Sequence, residues 1–387
     1  MANNEKNIAR NGFRSCSEVT ILFFTKRRIS KRDIILEKFG RQYQIAKELS
    51  SLGCHVIFFC IDYYKSKSIR INVDEDMEIH SHTLMTIPVS MLRLFFRRSK
   101  IQQVSVIIAS GDPLVSFMAF MLSKIIGRPY IYDNQDNYDS YPIMKIPVIK
   151  IINEVMLRRS DIIVAVSERL KNLLLQRTSQ RVVVIPNGVD LELFQNYPKD
   201  SSRRILGLPL SKKIICYSGS FEETNGVLLL CEAYRILARK KKDLLLLLTG
   251  GGPEKDKIIS NLLGLEYIYL DLPYDLIPFA ISSSDVLVIP YLSNDFSQYA
   301  FPLKLMEYLA ACRPIVTTDF GIVSPIIESL LGKEFVCYST DPNELAEKIE
   351  NALQMEKVST RSFAENYSWK KISSKLCEEI KSLLSKN

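Results

Sequence analysis

The chain has 387 residues, of which 47% are hydrophobic and 24% are charged. This composition is typical of a globular protein and excludes a disordered or fibrous chain. At the usual size of ~100–200 residues per domain, the length predicts two domains. The eight cysteines include no Cys-x-x-Cys pair, which argues against a disulfide scaffold or a zinc site. The first residues are polar and no long apolar stretch is free of charge, so neither a secretory signal nor a membrane-spanning helix is expected.

The net charge of +8 is unevenly distributed. Residues 1–186 carry 28 Lys+Arg and 17 Asp+Glu, whereas residues 187–387 carry 23 and 26. A basic first half favours a polyanion or an anionic membrane surface as a partner, and a solvated basic surface is the alternative. The cations cluster at 26–32 and at 91–100. The second cluster is interleaved with Met, Leu and Phe, which predicts either an interfacial amphipathic helix or a core helix with a charged end.

Strand-like runs alternate with helical stretches in the first half. The strands are nearly continuous apolar runs, as expected for parallel strands covered on both faces. They are predicted at 19–24, 55–60, 104–110, 129–133 and 161–167. Helices are predicted at 41–53, ending at Gly53, and at 115–127.

A second series of the same kind follows Pro186. Its strands are predicted at 213–218, 243–249, 267–270, 285–290 and 314–318. Its helices are predicted at 226–240, 254–263, 275–283, 303–311 and 342–355. Two successive series of strand–helix–strand units predict an α/β chain with two doubly wound domains.

Glycine-rich turns follow two strands of the second series. Gly219 follows the strand at 213–218, and the glycines at 250–252 follow the strand at 243–249. Ligands of open α/β sheets bind at the carboxyl ends of strands, where glycine lets a phosphate approach the backbone closely. A plain tight turn is the alternative at each position. No Lys-Ser or Lys-Thr pair follows, which excludes the phosphate loop of nucleoside triphosphatases.

The segment 300–319 is the most informative. Pro302 begins a predicted helix on which Lys304 and Glu307, three residues apart, share a face. A cation at this place can bind phosphate, and a carboxylate one turn later can accept hydrogen bonds from ribose hydroxyls. An exposed surface ion pair is the alternative.

A metal site is suggested by the acidic residues at 74–76 and by His80 and His82. No further ligand appears at metal-site spacing, which favours a polar strand edge, and no metal site is expected. The one other histidine is His55, and no Ser-His-Asp constellation is apparent.

These segments together resemble glycosyltransferase family 4, the retaining sugar transferases with two facing Rossmann-like domains, the GT-B architecture. The resemblance runs in order through nearly the whole chain. It rests on GRQYQIAKELSSLGCHV (40–56), RPYIYDNQD (128–136), RRSDIIVAVSE (158–168), VVVIPNGVDLELF (182–194), YSGSFEETNGVLLLCEAY (217–234), LLLTGGGPEKDKI (246–258), SSSDVLVIPY (282–291), PLKLMEYLAACRPIVTTD (302–319) and NYSWKKIS (366–373). It implies an acceptor-side domain over 1–186 and a donor domain over 187–367, with a C-terminal helix at about 368–387 that packs back onto the first.

The resemblance also implies roles for the matching residues. Those implied to bind the donor are Gly219, Asn225, Gly226, Gly251, Gly252, Tyr299, Pro302, Leu303, Lys304 and Glu307. Those implied to lie on the acceptor side or between the domains are Gly40, Arg41 and Gln135. Asp136 and Lys304 are implied to take part in catalysis, and Glu307 to bind the nucleotide ribose.

Several positions depart from the family's pattern. Tyr299 stands where the family has a first glutamate, eight positions before Glu307. Ser220 and Asn225 stand for its diphosphate-binding Arg and Lys, and Gln135 stands for its acceptor-side His. Our hypothesis is that Lys304 and the helix N-termini at 226 and 302 supply the positive charge that a pyrophosphate requires.

The function implied by the resemblance is a metal-independent transfer of a sugar from a nucleotide diphosphate, a UDP-sugar in preference to a GDP-sugar. The implied acceptor is a glycan or a polyprenyl-linked glycan in cell-surface polysaccharide or glycoconjugate synthesis. We expect no cofactor, no nucleic-acid partner, and a cytoplasmic place at the inner face of an anionic membrane. The alternatives are a catalytically inactive partner subunit and a nucleotide-sugar epimerase or phosphorylase.

Overall fold

The computed structural model of the chain describes residues 19–29, 32–64, 68–83 and 102–386. Each half of the chain forms one large sheet. The strands of the first half are β1 (Thr20–Lys26), β2 (Arg28–Ile29), β3 (Arg32–Asp33), β4 (His55–Asp62), β5 (Ile69–Asn72), β6 (Met77–Thr83), β7 (Val104–Ser110), β8 (Tyr130–Asn134), β9 (Ile162–Ala165) and β10 (Arg181–Val184). Those of the second half are β11 (Lys213–Ser220), β12 (Leu244–Gly251), β13 (Tyr267–Leu270), β14 (Val286–Ile289), β15 (Ile315–Thr318) and β16 (Val336–Cys337).

Helices cover both sheets. They are α1 (Gly40–Ser51), α2 (Pro113–Ile126), α3 (Pro147–Arg159), α4 (Glu168–Leu175), α5 (Lys199–Leu206), α6 (Val227–Lys240), α7 (Lys255–Asn261), α8 (Ile277–Ser282), α9 (Leu303–Ala310), α10 (Val323–Leu331), α11 (Pro342–Ala352), α12 (Arg361–Ala364) and α13 (Trp369–Leu384). None of the helices in the described ranges is long and apolar enough to cross a membrane.

The two sheets share one topology. The second has the strand order β13-β12-β11-β14-β15-β16, all parallel, and the first has β10-β9-β8-β7-β1-β4-β6-β5 with only β5 antiparallel to its neighbour. In both, the chain starts in the middle, winds outward to one side and then returns to build the other. The order therefore reverses between β1 and β7 in the first sheet and between β11 and β14 in the second. These reversal points are where open α/β sheets bind ligands.

The sequence explains why these elements form. All six residues from Leu244 to Thr249 are buried, as the continuous apolar run predicts for a central strand. Helix α2 shows the boundary signals: the Asp112 carboxylate accepts from the N–H groups of Leu114 and Val115, and Gly127 ends the helix in the left-handed conformation.

The last helix returns to the first half of the molecule. Helix α13 packs against α1, and its buried face, which includes Trp369 and Ile372, belongs to the same apolar core as the first sheet. A Cβ atom at Gly188 would lie 2.9 Å from the Trp369 ring, so this crossing requires glycine. The chain thus passes from the first half to the second near Gly188 and comes back beside it.

The prediction of an α/β chain with two doubly wound, Rossmann-like units is confirmed. The predicted strands and helices are present with boundaries shifted by a few residues, and His80 and His82 lie on strand β6. The basic cluster at 26–32 is not a continuous cationic surface, because Arg27 is buried and pairs with Asp33 at 2.7 Å. The segment 91–100 lies outside the described residues.

Candidate functional site

A cavity of about 210 Å³ lies at the reversal point of the second sheet. The turns after β11 and β12 and the start of α9 form one side of it, and a segment of the first half forms the other. Its walls are Arg32, Phe39, Ser218, Gly219, Ser220, Gly250, Gly251, Tyr274, Ile277, Tyr291, Pro302, Leu303, Lys304 and Glu307. The cavity thus lies at the strand ends where a ligand site was predicted. Its walls come from four strand–helix connections of the second half and from the segment of the first half that runs from β3 to α1.

Lys304 is the unusual side chain of this cavity. It is only 7% exposed, and its ammonium group finds no hydrogen-bond partner among the described residues. Its Nζ lies 3.8 Å from the ring centre of Tyr217 and 4.9 Å from that of Tyr291, so two aromatic faces partly stabilise the cation. A buried donor without an acceptor is costly, and a bound anion would relieve that cost.

Glu307 lies one helical turn further along α9 and is also buried. The Tyr274 hydroxyl donates to its Oε1 at 2.9 Å. The alternative of an exposed ion pair between Lys304 and Glu307 is wrong, because both side chains lie inside the cavity wall and the Lys304 ammonium has no partner there.

Burial controls the protonation of both groups. It lowers the pKa of Lys304 to about 7, against the opposing charge of Glu307. It raises the pKa of Glu307 to about 7, and the hydrogen bond from Tyr274 and the charge of Lys304 oppose this rise. Each group is therefore poised to change charge near neutral pH when a ligand changes its surroundings.

The glycine turns bring the backbone close to Lys304. A Cβ at Gly219 would lie 2.4 Å from Lys304 Nζ, and one at Gly250 would lie 1.9 Å from the Gly219 carbonyl oxygen. Nothing lies within 4 Å of a Cβ at Gly251, so this turn opens into the cavity. Asn225 supports the rim from behind, since its amide donates to the Ser220 carbonyl oxygen at 2.8 Å and to the Ser220 hydroxyl at 2.7 Å.

Four predicted donor residues, Asn225, Gly226, Gly252 and Tyr299, lie outside the cavity wall. A Cβ at Gly226 would lie 1.8 Å from the Pro290 carbonyl oxygen, and one at Gly252 would lie 2.6 Å from that of Phe221, so both glycines serve close backbone packing. The Tyr299 carbonyl accepts from the Ser167 hydroxyl at 2.8 Å. Tyr299 therefore lies in a segment that joins the two halves of the molecule.

The predicted residues of the first half form a separate polar cluster at the carboxyl ends of β7 and β8. Arg41 is buried and binds both carboxylate oxygens of Asp133, at 3.0 and 2.9 Å, and the Pro186 carbonyl at 2.9 Å. Gln135 donates to Ser110 and Asp133 and accepts from Gln42. Arg41 and Gln135 are thus fully engaged within the protein, and Gly40 begins α1 with a positive φ of 86°.

Asp136 follows the carboxyl end of β8. The Tyr141 hydroxyl donates to its carboxylate at 3.0 Å, and burial raises the pKa of the carboxyl group above its usual value. Its charge in turn helps to raise the pKa of Tyr291, a cavity residue, so Asp136 lies near the donor-side wall.

Several wall residues were not predicted from the sequence, among them Arg32, Phe39, Tyr274, Ile277 and Tyr291. Tyr291 follows the end of β14, so a search of every strand end, rather than of glycine turns alone, would have found it. Arg32 and Phe39 approach from the first half, where Arg32 donates to the Leu272 carbonyl at 3.0 Å. No local pattern signals a contact between residues 240 positions apart. In the described ranges, no three His, Cys, Asp or Glu side chains are placed to share a metal ion.

Two family models match consecutive parts of the chain. The model described as Glycosyltransferase Family 4 matches residues 42–193, and that described as Glycosyl transferases group 1 matches residues 198–369. TuaC of Bacillus subtilis, a glycosyltransferase named for teichuronic acid biosynthesis, is 29% identical over 177 residues, which are 45% of this chain and 41% of that protein. A D-inositol 3-phosphate glycosyltransferase of Corynebacterium urealyticum is 26% identical over 226 residues, 52% of this chain and 51% of that protein. The matches thus span about half the length of these relatives.

Solved structures share the fold over nearly the whole chain. A sucrose-phosphate synthase of Thermosynechococcus elongatus superposes with a TM-score of 0.75 at 17% identity, covering 95% of this chain and all of that one. Anabaena HepE in complex with UDP and glucose superposes with a TM-score of 0.71 at 16% identity, covering 94% of this chain and 99% of that one.

Proposed function

Because this chain belongs to the family 4 glycosyltransferases and has their GT-B fold, we propose that it transfers a sugar from a nucleotide diphosphate to a glycan acceptor with retention of anomeric configuration. The donor lies in the cavity at the end of the second sheet. The acceptor approaches from the first half, on the side of Asp136. The observation that carries the proposal is the buried ammonium of Lys304, which has no hydrogen-bond partner in the described part of the chain and lies in a glycine-lined cavity.

The cavity supplies what a diphosphate requires. Lys304 offers a cation. The first N–H groups of α9 can also bind an anion, because Pro302, the residue before the helix, has no side-chain acceptor to cap them. Glycine at 219 keeps the space beside the Lys304 ammonium open. Glu307, held by Tyr274, is placed to accept hydrogen bonds from ribose hydroxyls. The helix start at 226, which packs on Pro290, is not a wall of the cavity, so Lys304 and the start of α9 carry the charge in this proposal.

The chemistry concerns a leaving diphosphate. As the bond between the sugar and the phosphate breaks, negative charge grows on the phosphate oxygens and positive charge grows on the sugar. Lys304 and the N–H groups of α9 stabilise the negative charge on the phosphate oxygens, since preorganised donors stabilise charge most effectively in a site without bulk water. The acceptor hydroxyl attacks from the face that the diphosphate leaves, and the departing phosphate takes its proton. Trapping of a covalent glycosyl–enzyme would contradict this route.

The nucleotide and the pathway are proposed from the relatives. HepE is described in complex with UDP-glucose, and TuaC is named for teichuronic acid biosynthesis. We therefore propose a UDP-sugar as the donor and cell-surface polysaccharide synthesis as the process. The first half serves as the acceptor side and the second as the donor side, with no requirement for a metal ion.

A thermal-shift panel with UDP, GDP and their sugar conjugates, with and without Mg²⁺, tests the donor site. A ligand at ~100 times its dissociation constant stabilises a fold by ~2.7 kcal/mol, a readily visible shift. We expect a metal-independent shift with UDP that is lost in Lys304→Met and kept in Lys255→Met, whose cation covers Tyr269 outside the cavity. The absence of a shift with every nucleotide would overturn the proposal.

The alternative of an inactive partner subunit is favoured by one observation. The Asn225 amide, at a position where the family has a phosphate-binding cation, is engaged with Ser220 on the cavity rim. This alternative predicts no release of UDP from any UDP-sugar, with acceptor or without it. Analysis of the products formed without acceptor distinguishes a transferase from an epimerase, because only an epimerase changes the donor sugar itself.

A further inference from the structure

A second feature of the first half stands apart from the donor cavity. It is the outer face of α2, α3 and the segment that leads into α3, which we name the α2–α3 face. Its exposed apolar side chains are Leu114, Met121, Ile125, Ile143, Ile146, Val148, Ile151 and Val155. Ile125 is 61% exposed and Ile151 is 62% exposed. So many large apolar side chains on one face mark an interaction surface rather than the ordinary scatter of single residues.

Helical geometry concentrates these residues. Leu114, Met121 and Ile125 recur along one side of α2, and Val148, Ile151 and Val155 recur along one side of α3. A groove of about 800 Å³ lies between the two helices, with Phe120 at its floor. The inner faces of both helices pack on the first sheet, so the outer faces carry a second apolar surface that the fold itself does not use.

Cations surround this apolar surface. Lys124, Lys145, Lys150, Arg158 and Arg159 are all exposed on or beside it. The nearby acids Glu154 and Asp139 are both bound by Arg177, and Glu154 also lies 3.8 Å from Arg158. The five cations and Arg177 still outnumber these two acids. The face therefore combines protruding aliphatic side chains with a net positive charge, the combination that binds a lipid surface with anionic headgroups.

The face also ends at the cleft. Tyr141, between α2 and α3 in the chain, is partly exposed, and its hydroxyl reaches the Asp136 carboxylate at 3.0 Å. Its ring centre lies 5.9 Å from that of Phe296 in the second half. A lipid surface bound by the α2–α3 face would thus place its lipids next to the acceptor side of the site.

We propose that the α2–α3 face docks the protein onto an anionic lipid bilayer. The apolar side chains enter the boundary between headgroups and acyl chains, and the cations bind the headgroup phosphates. A second copy of this chain fits less well, because a two-fold interface would place the same five cations opposite one another. Docking does not depend on the transfer reaction, so it is tested separately from the proposed function.

Flotation of the full chain with vesicles tests the proposal, in the absence of any nucleotide. One set is phosphatidylcholine alone and the other is phosphatidylcholine and phosphatidylglycerol in equal parts. We expect flotation with the anionic vesicles and its loss at high salt, which screens the headgroup charge. In Lys150→Ala/Arg159→Ala the partition coefficient should fall roughly fivefold for each cation. In Ile125→Ser/Ile151→Ser the partition coefficient should fall further than in Lys150→Ala/Arg159→Ala.

Matched controls lie on the second half. Lys240→Ala/Lys242→Ala removes two exposed cations, and Leu263→Ser removes a leucine that is 75% exposed; neither should change the partition. Unchanged thermal unfolding of each variant shows that it is folded. The proposal is overturned if the wild-type chain fails to float at low salt. It is also overturned if only Arg97→Ala/Arg98→Ala abolishes flotation, or if light scattering shows a dimer that Ile125→Ser/Ile151→Ser dissociates.

Discussion

The two sheets wind outward from a central strand in the same way and bring their reversal points to opposite sides of one cleft, yet the buried cation at each point has different surroundings. At the first reversal point, Arg41 binds both oxygens of Asp133 and a backbone carbonyl. At the second, the Lys304 ammonium lies against the Tyr217 ring and has no hydrogen-bond acceptor among the residues that the structure describes. The difference teaches that topology creates a crevice, whereas the pairing of its charges decides whether the crevice is a structural joint or a receptor for an anion.

The largest expected effect is on the paired side. Arg41→Met should lower the free energy of unfolding by about 3–5 kcal/mol, because it leaves the Asp133 carboxylate buried without its cation. Denaturant unfolding monitored by circular dichroism measures this. Arg41→Lys keeps the charge and loses the bidentate geometry. Its free energy of unfolding should therefore lie between those of the wild type and Arg41→Met. An unchanged denaturant midpoint in Arg41→Met would show that the pair of Arg41 and Asp133 does not stabilise the fold.

On the unpaired side the same type of substitution should leave the fold intact and remove function. Lys304→Met should lower kcat/KM for the UDP-sugar by about 10²–10³-fold, the usual loss for a group that stabilises developing negative charge. Its thermal unfolding temperature should be unchanged or raised, since the substitution removes a buried donor that has no acceptor within the described ranges. Loss of stability without loss of turnover would reverse the roles assigned to the two cations.

The pH dependence sharpens the comparison. Because burial lowers the pKa of Lys304 to about 7, the ammonium form that binds a diphosphate is the major form only below that pH. Affinity for a UDP-sugar should therefore fall as pH rises above 7, by up to about tenfold per pH unit. Isothermal titration in buffers of different ionisation enthalpy should show proton uptake on binding. In Glu307→Gln the fall in affinity should begin at a lower pH, because the charge of Glu307 raises the pKa of Lys304. In Lys304→Met it should be absent, and a flat wild-type profile would contradict the assignment.

The smallest expected effect concerns Glu307. Glu307→Gln keeps the acceptor oxygen for the Tyr274 hydroxyl but removes the charge. The affinity for UDP should therefore fall by roughly 1–2 kcal/mol, the difference between a hydrogen bond to a charged group and one to a neutral group. The loss should be smaller for 2′-deoxy-UDP if that carboxylate binds the ribose. Equal losses for the two nucleotides would place Glu307 elsewhere in the site.

Much of the fold was predictable because it depends on local pattern. The apolar run at 243–249 became a buried central strand, and the Asp112-Pro113 start and Gly127 end of α2 follow from capping chemistry. Strand β6 was harder to predict from the sequence, because its polar residues, including His80 and His82, obscure the alternation of apolar and polar positions. The site was predicted in outline, through Gly219, Lys304 and Glu307, because strand-end turns and helix spacing are local too.

The sequence by itself thus determined the alternation of strands and helices, the glycine turns and the shared face of Lys304 and Glu307. Only the tertiary structure decided that Lys304 is enclosed by Tyr217 and Tyr291 without an acceptor, while Arg41 meets Asp133 across 92 positions of sequence. It also brought Arg32 to the cavity and left the apolar sides of α2 and α3 uncovered. The physical reason is that backbone geometry follows from neighbours in sequence, whereas burial and charge pairing depend on which distant surfaces pack together.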